Sequence, residues 1–209
     1  FASPFNDRME IRFDDTGSVT VVAGTHSHGQ GHQTSYAQMI HSWLGVPFDR
    51  IRLVQGDSDK VTFGRGTYGS RSMTIGGSAL RQAADKIIDK AKKIAAHVLE
   101  AAEEDIEFNE GKLTVAGTDK SIHICDMVPM SYMPMGWPGH LGVGLEAEGT
   151  WTPEKGPNWP NGTHIAEVEV DPDTGKVELV RHIAVNDSGE VINPLLLAGQ
   201  VHGGIAQGV

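Results

Sequence analysis

The sequence predicts an α+β fold in which hairpins and mixed sheets pack against helices. Two observations carry this prediction. β-like runs with turn signals recur along the 209 residues, and two segments between them show the 3.6-residue apolar spacing of amphipathic helices. Because hairpins and helices alternate along the chain, we expect two layers of sheet and helix around a shared core.

Three hairpins are predicted from extended runs on either side of a polar turn. With their turns they are Glu10–Thr25 (Asp14–Gly17), Ile106–Val115 (Asn109–Gly111) and Ile165–Val185 (Asp171–Gly175). A further strand is expected at Arg50–Val54.

The two helices are predicted from apolar residues that recur on one face. The first carries Tyr36, Met39, Ile40, Trp43 and Leu44 and is expected to stop at Gly45. The second runs from about Leu80 to Val98 and ends near an acidic cluster at Glu103–Asp105, with its charged face in solvent.

The chain divides into three portions by composition. Residues 10–125 form a first sheet-plus-helix portion, 126–163 an irregular loop rich in Met, Pro and Trp, and 164–209 a second portion. Since the chain begins without Met and stops inside an apolar Gly/Ala segment, we expect residues 1–209 to be a piece of a longer polypeptide.

The overall charge and the cysteine count restrict the function classes. The net charge of −10 argues against nucleic-acid binding, which needs a basic surface. A single cysteine, Cys125, rules out an internal disulfide and fits a reducing compartment, so we expect a cytoplasmic protein. No apolar run is long enough to predict a membrane span.

The most informative features are three Gly-rich loops, each placed after a β-like run and before a helix. We call them loop 1 (Gly24–Ser35), loop 2 (Phe63–Ser78) and loop 3 (Asn186–Gly204). Such loops present backbone N–H groups and a helix start, which together suit phosphate or another extended anion. Three of them in one chain indicate a large cofactor held mainly by backbone.

Loop 1 has three interpretations. Gly29 and Gly31 allow close backbone approach to a cofactor, with the Gln30 amide between them as donor and acceptor. Alternatively, the histidines at 26, 28 and 32 could surround zinc. The third interpretation is an ordinary polar loop.

Loop 2 offers hydroxyls, space and positive charge. The hydroxyls are those of Thr67, Ser70 and Ser72. Gly69 gives room, and Arg71 lies nearer than Arg65 to the predicted helix start, so Arg71 is the better candidate for a phosphate contact. The alternative is a Ser/Gly turn with surface arginines.

The middle of loop 3 predicts the N-terminus of a helix. Asn193 suits the N-cap and Pro194 the first helical position. Gln200 repeats the Gly-Gln pairing of loop 1 and is the candidate for cofactor contact. The chain contains no Walker sequence, no G-x-G-x-x-G fingerprint and no G-x-S-x-G elbow.

The order GTHSHGQGHQTSYAQ, TFGRGTYGSRS, VNDSGEVINP and GQVHGGIAQG resembles the molybdopterin-binding large subunits of the xanthine dehydrogenase and aldehyde oxidase family, in particular the aerobic carbon monoxide dehydrogenase-like branch. The resemblance implies the molybdenum-cofactor-binding C-terminal region of a molybdenum hydroxylase. It implies molybdenum on a pterin cofactor, as the cytosine dinucleotide in bacterial members. It also implies partner subunits with 2Fe-2S clusters and FAD, and a small-molecule substrate.

The resemblance also assigns roles to residues. It places Gln30 at the molybdenum end of the cofactor, and Gln200 at the pterin. It places Thr67, Gly69, Ser70, Arg71 and Ser72 around the pterin and its phosphates. Asp187 and Asn193 occupy family-like positions, whereas Ser188 departs from a pattern that often has Cys.

The resemblance implies that no catalytic residue lies in this piece, because the family's general-base glutamate follows the segment that ends at Val209. No protein metal ligand is expected either, since the pterin sulfurs hold the molybdenum. Two alternatives stay open. One is a zinc hydrolase using His26, His28 and His32, and the other is a non-catalytic interaction module using the Met/Trp-rich stretch.

Overall fold

A computed structural model describes residues 6–133, 135, 137–154 and 159–209. The chain forms two compact units, with described residues up to 154 in the first and 159–209 in the second. The α+β prediction is confirmed.

Among its described residues, the first unit contains seven strands and three α-helices. The strands are β1 Asp7–Phe13, β2 Val19–Ala23, β3 Ile51–Val54, β4 Ile106–Asn109, β5 Lys112–Val115, β6 Ser121–His123 and β7 Glu146–Trp151. The helices are α1 His32–Leu44, α2 Gly77–Leu99 and the short α3 Ile124–Met127.

The main sheet has the strand order β3-β2-β1-β7. The predicted first hairpin is present, with β1 antiparallel to β2, while β3 adds to β2 in parallel. Its turn forms as the sequence predicts, because the Asp14 carboxylate accepts hydrogen bonds from the backbone N–H of Thr16 and Ser18 at 2.9 and 3.0 Å. Gly17 closes the turn with a positive φ of 76°.

The fourth strand corrects the prediction for residues 126–163. We expected an irregular loop there, but β7 pairs antiparallel with β1 along its length. Its sequence, EAEGTW, alternates polar residues with Ala147, Gly149 and Trp151, but Glu, Ala and Gly are depleted in strands, so the strand signal of this short run is weak. Long-range pairing with β1 makes this segment a strand. Pro134, Gly136 and residues 155–158 of the predicted loop lie outside the described residues.

Helix α2 packs across the main sheet, as its amphipathic pattern predicts. Leu80, Ile87 and Ile94 on its inner face are fully buried. The helix lies close to β7, where a Cβ on Gly149 would clash with the carbonyl oxygen of Ala79. This glycine therefore sets how closely helix and sheet approach.

The remaining predicted elements of this unit also form. Helix α1 ends at Gly45, which has the left-handed conformation of a C-cap. The hairpin β4–β5 turns at Glu110 and Gly111, both with positive φ. Strand β6, which the sequence did not predict, pairs with β5 to make a three-stranded sheet.

The second unit consists of a hairpin and a helix. Strands β8 (Asn161–Val170) and β9 (Val177–Asp187) pair antiparallel around the predicted Asp171–Gly175 turn, and helix α4 spans Pro194–Gly208. Every described residue from 159 to 209 is exposed or half-buried. Within the part of the chain that the structure describes, no helix has both the length and the apolar character needed to cross a membrane.

Candidate functional site

Loops 1 and 2 meet in the first unit, at the end of the β1–β2 hairpin. The backbone N–H of Gly66 donates to the carbonyl of Gly24 at 3.0 Å. The N–H of His26 donates to the Thr67 hydroxyl at 3.0 Å. The two loops are therefore joined directly, although about forty residues separate them in sequence.

Two glycines make this close approach possible. A Cβ on Gly64 would clash with the Gly24 carbonyl, and a Cβ on Gly24 would clash with the Asp7 carboxylate. Any larger residue at either position would push the loops apart. Gly24 and Gly64 are therefore needed because the backbones of the two loops pack directly against each other.

Other glycines of the loops face open space. Nothing lies within 4 Å of the position that a Cβ would take on Gly29, Gly66 or Gly69. All three have positive φ, as does Gly31 of loop 1. Ser70, next in the chain, also has a positive φ of 55° and is exposed. This bare backbone can be approached closely by a ligand.

Hydroxyl groups connect the loops to helix α1. The Thr67 and Ser72 hydroxyls are hydrogen-bonded at 2.8 Å. The Tyr36 hydroxyl of α1 donates to the Ser72 carbonyl at 2.9 Å. It is also hydrogen-bonded to the Thr25 hydroxyl at 2.9 Å. Burial raises the pKa of Tyr36, so it remains a phenol and can donate. Of the three hydroxyls predicted in loop 2, only that of Ser70 is on an exposed residue.

Loop 2 enters helix α2 through a π-helical turn. This turn spans Ser72–Gly76 and runs directly into α2. π-helical turns are rare and occur frequently at functional sites.

The structure places Arg71 inside the protein. Its side chain is 2% exposed and forms an ion pair with Asp7, which is 0% exposed. The sequence predicts a phosphate contact for Arg71, and it did not lead us to Asp7 as the partner of this arginine. A signal for Asp7 was present, because it shares the inward register of β1 with Met9, Ile11 and Phe13. Arg65, by contrast, is exposed on loop 2.

Gln30 turns back onto its own loop. Its amide nitrogen donates to the His26 carbonyl at 3.4 Å, and its amide oxygen accepts from the backbone N–H of His28. The residue is half-buried between Gly29 and Gly31. The long bond to His26 is weak by geometry, so the amide can exchange it for a bond to a ligand.

The three histidines of loop 1 do not converge. The rings of His26 and His28 meet edge to face at 5.0 Å, while His32 is buried against Tyr36 and places Nδ1 3.3 Å from Gln55 Oε1. Burial is the main cause that lowers the pKa of His32. Among the residues that the structure describes, no group of three or more His, Cys, Asp or Glu side chains could hold a metal ion. The zinc alternative therefore has no support.

Loop 3 lies in the second unit. The Asn193 side chain accepts from the N–H of Leu196 at 2.9 Å and so caps α4, as predicted, with Pro194 at the first helical position. Gln200 is exposed on α4. Its convergence with loops 1 and 2 on one cofactor stays a prediction.

The chemistry of loops 1 and 2 fits an anionic cofactor held by backbone and hydroxyl groups. The chain carries a net charge of −10, yet neither Gly24–Ser35 nor Phe63–Ser78 contains an acidic residue. Open glycines, the Ser70 hydroxyl and the Arg65 guanidinium remain at the surface of these loops. No carboxylate of either loop would repel a phosphate there.

A family model described as molybdopterin cofactor-binding domain matches residues 2–209. Nicotine 6-hydroxylase large subunit of Paenarthrobacter nicotinovorans is 40% identical over 207 residues, which make up 98% of this chain and 25% of that protein. Carbon monoxide dehydrogenase large chain of Afipia carboxidovorans is 42% identical over 204 residues, 96% of this chain and 25% of that protein.

Solved structures show the same similarity. The Cu,Mo-CO dehydrogenase in its carbon monoxide reduced state matches with a TM-score of 0.86 and 41% identity, over 97% of this chain and 25% of that one. Quinoline 2-oxidoreductase from Pseudomonas putida 86 matches with a TM-score of 0.84 and 37% identity, over 97% and 26% of the two chains. The chain spans about a quarter of the length of the relatives that it matches.

Proposed function

Because the chain belongs to the molybdopterin cofactor-binding domain family, we propose that loops 1 and 2 bind the pterin dinucleotide in the large subunit of a molybdenum hydroxylase. One observation carries the site assignment. The two loops are hydrogen-bonded to each other, and both present glycines with positive φ to open space. Backbone of this kind lets N–H groups reach a phosphate or a pterin edge without steric hindrance.

Each loop has a distinct task in this proposal. In loop 1, the Gln30 amide, flanked by Gly29 and Gly31, is released from its weak bond to His26 and hydrogen-bonds near the molybdenum end. In loop 2, the backbone at Gly69 and the exposed Ser70 hydroxyl face the pterin and its phosphates. The hydroxyls of Thr67 and Ser72 keep the loop in this shape by bonding to each other.

In this proposal the guanidinium of Arg65 supplies the positive charge that binds the phosphates. A helix start contributes only about 0.3–1 kcal/mol to an exposed anion, so a pyrophosphate also needs a guanidinium. Arg65 is exposed; its Nε donates to Asn6 Oδ1 at 3.0 Å, and its guanidinium lies over the Phe63 ring, 5.4 Å from the ring centroid. The guanidinium of Arg71 is enclosed beside Asp7.

When bound, the cofactor supplies the redox chemistry of molybdenum hydroxylases, in which a water-derived oxygen is inserted at an electron-poor carbon or carbon monoxide is oxidised. The chain's own residues bind and orient it. We expect the substrate among carbon monoxide, aldehydes, purines and N-heteroaromatic compounds, and relatives named for nicotine, carbon monoxide, xanthine and quinoline support a small-molecule substrate of this range.

The wider assembly follows the same proposal. We expect the cytosine dinucleotide form of the cofactor, partner subunits that carry 2Fe-2S clusters and FAD, and a cytoplasmic location. Relatives described as a large subunit, a large chain and a complex subunit support an assembly of several chains. The resemblance also predicts contacts with the cofactor from Gln200, at the pterin, and from Asn193. In this structure Asn193 caps α4.

The test uses the natural protein that contains this chain. Molybdenum is measured by elemental analysis and the nucleotide released from the pterin is identified by mass spectrometry. We expect about one molybdenum per large subunit in the wild type and less in Gln30→Ala and Arg65→Ala, because each removes a contact made by loop 1 or loop 2. Gln82→Ala and Arg81→Ala, on the exposed surface of α2, are the matched controls.

Two results would contradict the proposal. A wild-type protein that binds no molybdenum and releases no pterin nucleotide would remove the function. Full molybdenum content in both Gln30→Ala and Arg65→Ala would leave the function standing but would remove the contacts assigned to the two loops.

A further inference from the structure

An enclosed ion pair lies beneath loops 1 and 2. Asp7 at the start of β1 and Arg71 at the end of the open part of loop 2 are 0% and 2% exposed, and their Oδ2 and Nη1 atoms are 2.6 Å apart. We propose that this pair positions the cofactor loops, and that Arg71 acts through the shape of loop 2 and not by contact with phosphate. This inference rests on the proposed function and replaces the direct contact that the sequence suggested for Arg71.

The guanidinium of Arg71 is directed at the protein interior. Nη1 also donates to the Gly66 carbonyl at 2.7 Å, and Nη2 donates to the Asn6 carbonyl at 2.8 Å. Its positive charge is neutralised by Asp7 in a place that solvent does not reach. A phosphate outside the loop would therefore meet little net charge from this residue.

The bond from Arg71 to Gly66 closes the open part of loop 2. Between these two residues lie Gly69 and Ser70, which like Gly66 have positive φ. Residues with positive φ do not form the repeating hydrogen bonds of a helix or strand, so this segment needs side-chain hydrogen bonds to keep its shape. The Arg71 side chain does this by joining the two ends of the segment.

Asp7 reaches loop 1 as well. Its Oδ1 atom accepts from the N–H of Arg8 at 2.9 Å and packs against Gly24, where any side chain would clash with it. The Gly24 carbonyl in turn accepts from the N–H of Gly66. One carboxylate thus contacts the first residue of loop 1 and the arginine that shapes loop 2. The pair sets the relative position of the two loops.

The two possible roles of Arg71 predict opposite results for Asp7→Asn. If Arg71 contacted phosphate, removing the neighbouring negative charge would leave cofactor binding unchanged or strengthen it. If the pair positions the loops, Asp7→Asn leaves Arg71 without its counter-charge and cofactor content falls about tenfold, the size typical of lost second-layer support at a bound group.

The experiment compares variants of the natural, cofactor-loaded protein by molybdenum content, melting temperature and hydrogen exchange of residues 64–70. Besides Asp7→Asn, it includes Arg71→Lys, which keeps the charge and one bond to Asp7 but cannot also reach both Gly66 and Asn6. The matched controls are Asp85→Asn and Arg81→Lys, which alter an exposed ion pair with 2.9 Å between its atoms on α2.

We expect both test variants to lose cofactor and to exchange faster at residues 64–70, and both controls to match the wild type. Wild-type cofactor content in Asp7→Asn or in Arg71→Lys would overturn the inference. So would an Arg71→Lys protein that melts far below the wild type with uniformly faster exchange, because the pair would then support the whole unit and not the loops.

Failure of the proposed function gives a different pattern. If the wild-type protein contains no molybdopterin, that function is wrong. The exchange of residues 64–70 in the same variants still decides whether the pair positions the loop, since that measurement needs no cofactor.

Discussion

The two units of the chain use the same kinds of element but bury them differently. In the first unit, α2 covers the sheet β3-β2-β1-β7, and the inner residues of helix and sheet are fully buried. In the second, every described residue of β8, β9 and α4 is exposed or half-buried, although Val168, Val177 and Val185 are apolar. Apolar sequence alone does not make a core, because a two-stranded hairpin has too little surface to close one.

The difference bears on function. The first unit holds loops 1 and 2 between its main sheet and the start of α2, and hydrogen bonds and an ion pair within the unit fix their shape. The second unit contributes a capped helix, α4, whose stability comes from local contacts such as the Asn193 cap.

Core truncation should separate the units most strongly. Leu80→Ala removes a fully buried side chain from α2 and should lower the free energy of unfolding by about 2–5 kcal/mol. Leu195→Ala, at a position that is 82% exposed on α4, should change it by less than about 0.5 kcal/mol. Urea denaturation measures both. Equal losses at the two positions would show that the second unit is as well buried as the first.

Glycine replacements should have opposite signs in the two units. Gly149→Ala forces a methyl group against the Ala79 carbonyl between β7 and α2, and should cost about 1–3 kcal/mol. Gly203→Ala on α4 meets nothing within 4 Å and should stabilise the helix by about 0.5–1 kcal/mol. Melting temperatures of the two variants give the signs. A destabilised Gly203→Ala would reveal a surface packed against α4.

Removing the cap of α4 should cost about 1 kcal/mol. Asn193→Ala leaves the N–H of Leu196 without its acceptor, whereas Asn193→Asp retains an acceptor and should match the wild type. Amide exchange in the first turn of α4 reports the change. Loss of molybdenum with unchanged exchange would instead favour the direct cofactor role that the resemblance suggested.

The smallest effect is a pH dependence at His32. Burial lowers the pKa of this histidine below its ordinary value of 6.5, so the folded state binds fewer protons than the unfolded state. Its contribution to stability is complete above pH 6.5 and is lost as the pH falls below that value. His32→Gln should reduce this loss in denaturation series at several pH values, and His202→Gln, which alters an exposed residue of α4, is the control. An unchanged pH dependence in His32→Gln would contradict the assignment.

Local patterns predicted the elements whose partners are close in sequence. The hairpin turns at Asp14–Gly17 and Asp171–Gly175 and the apolar faces of α1 and α2 all follow from spacing and turn chemistry. Strand β7 was missed because its alternation is short and built from residues of low strand propensity, and because its partner β1 lies well over a hundred residues earlier in the chain.

The site shows the same limit. The sequence identified loops 1 and 2 by their glycines, and the structure brings them together through the bond between Gly66 and Gly24. It did not reveal that Arg71 points inward, because its partner Asp7 lies 64 positions away. The role of a charged side chain depends on which long-range neighbours neutralise it.

In our proposal loops 1 and 2 together bind a pterin dinucleotide. Hydrogen exchange of the natural protein, with and without its cofactor, gives the sharpest test. We predict slower exchange on loading at the backbone amides of Gly29, Gly31 and Gly69, with no change at the Asp14–Gly17 turn, at the opposite end of the β1–β2 hairpin. Equal exchange of the loop amides in the two forms would contradict the claim.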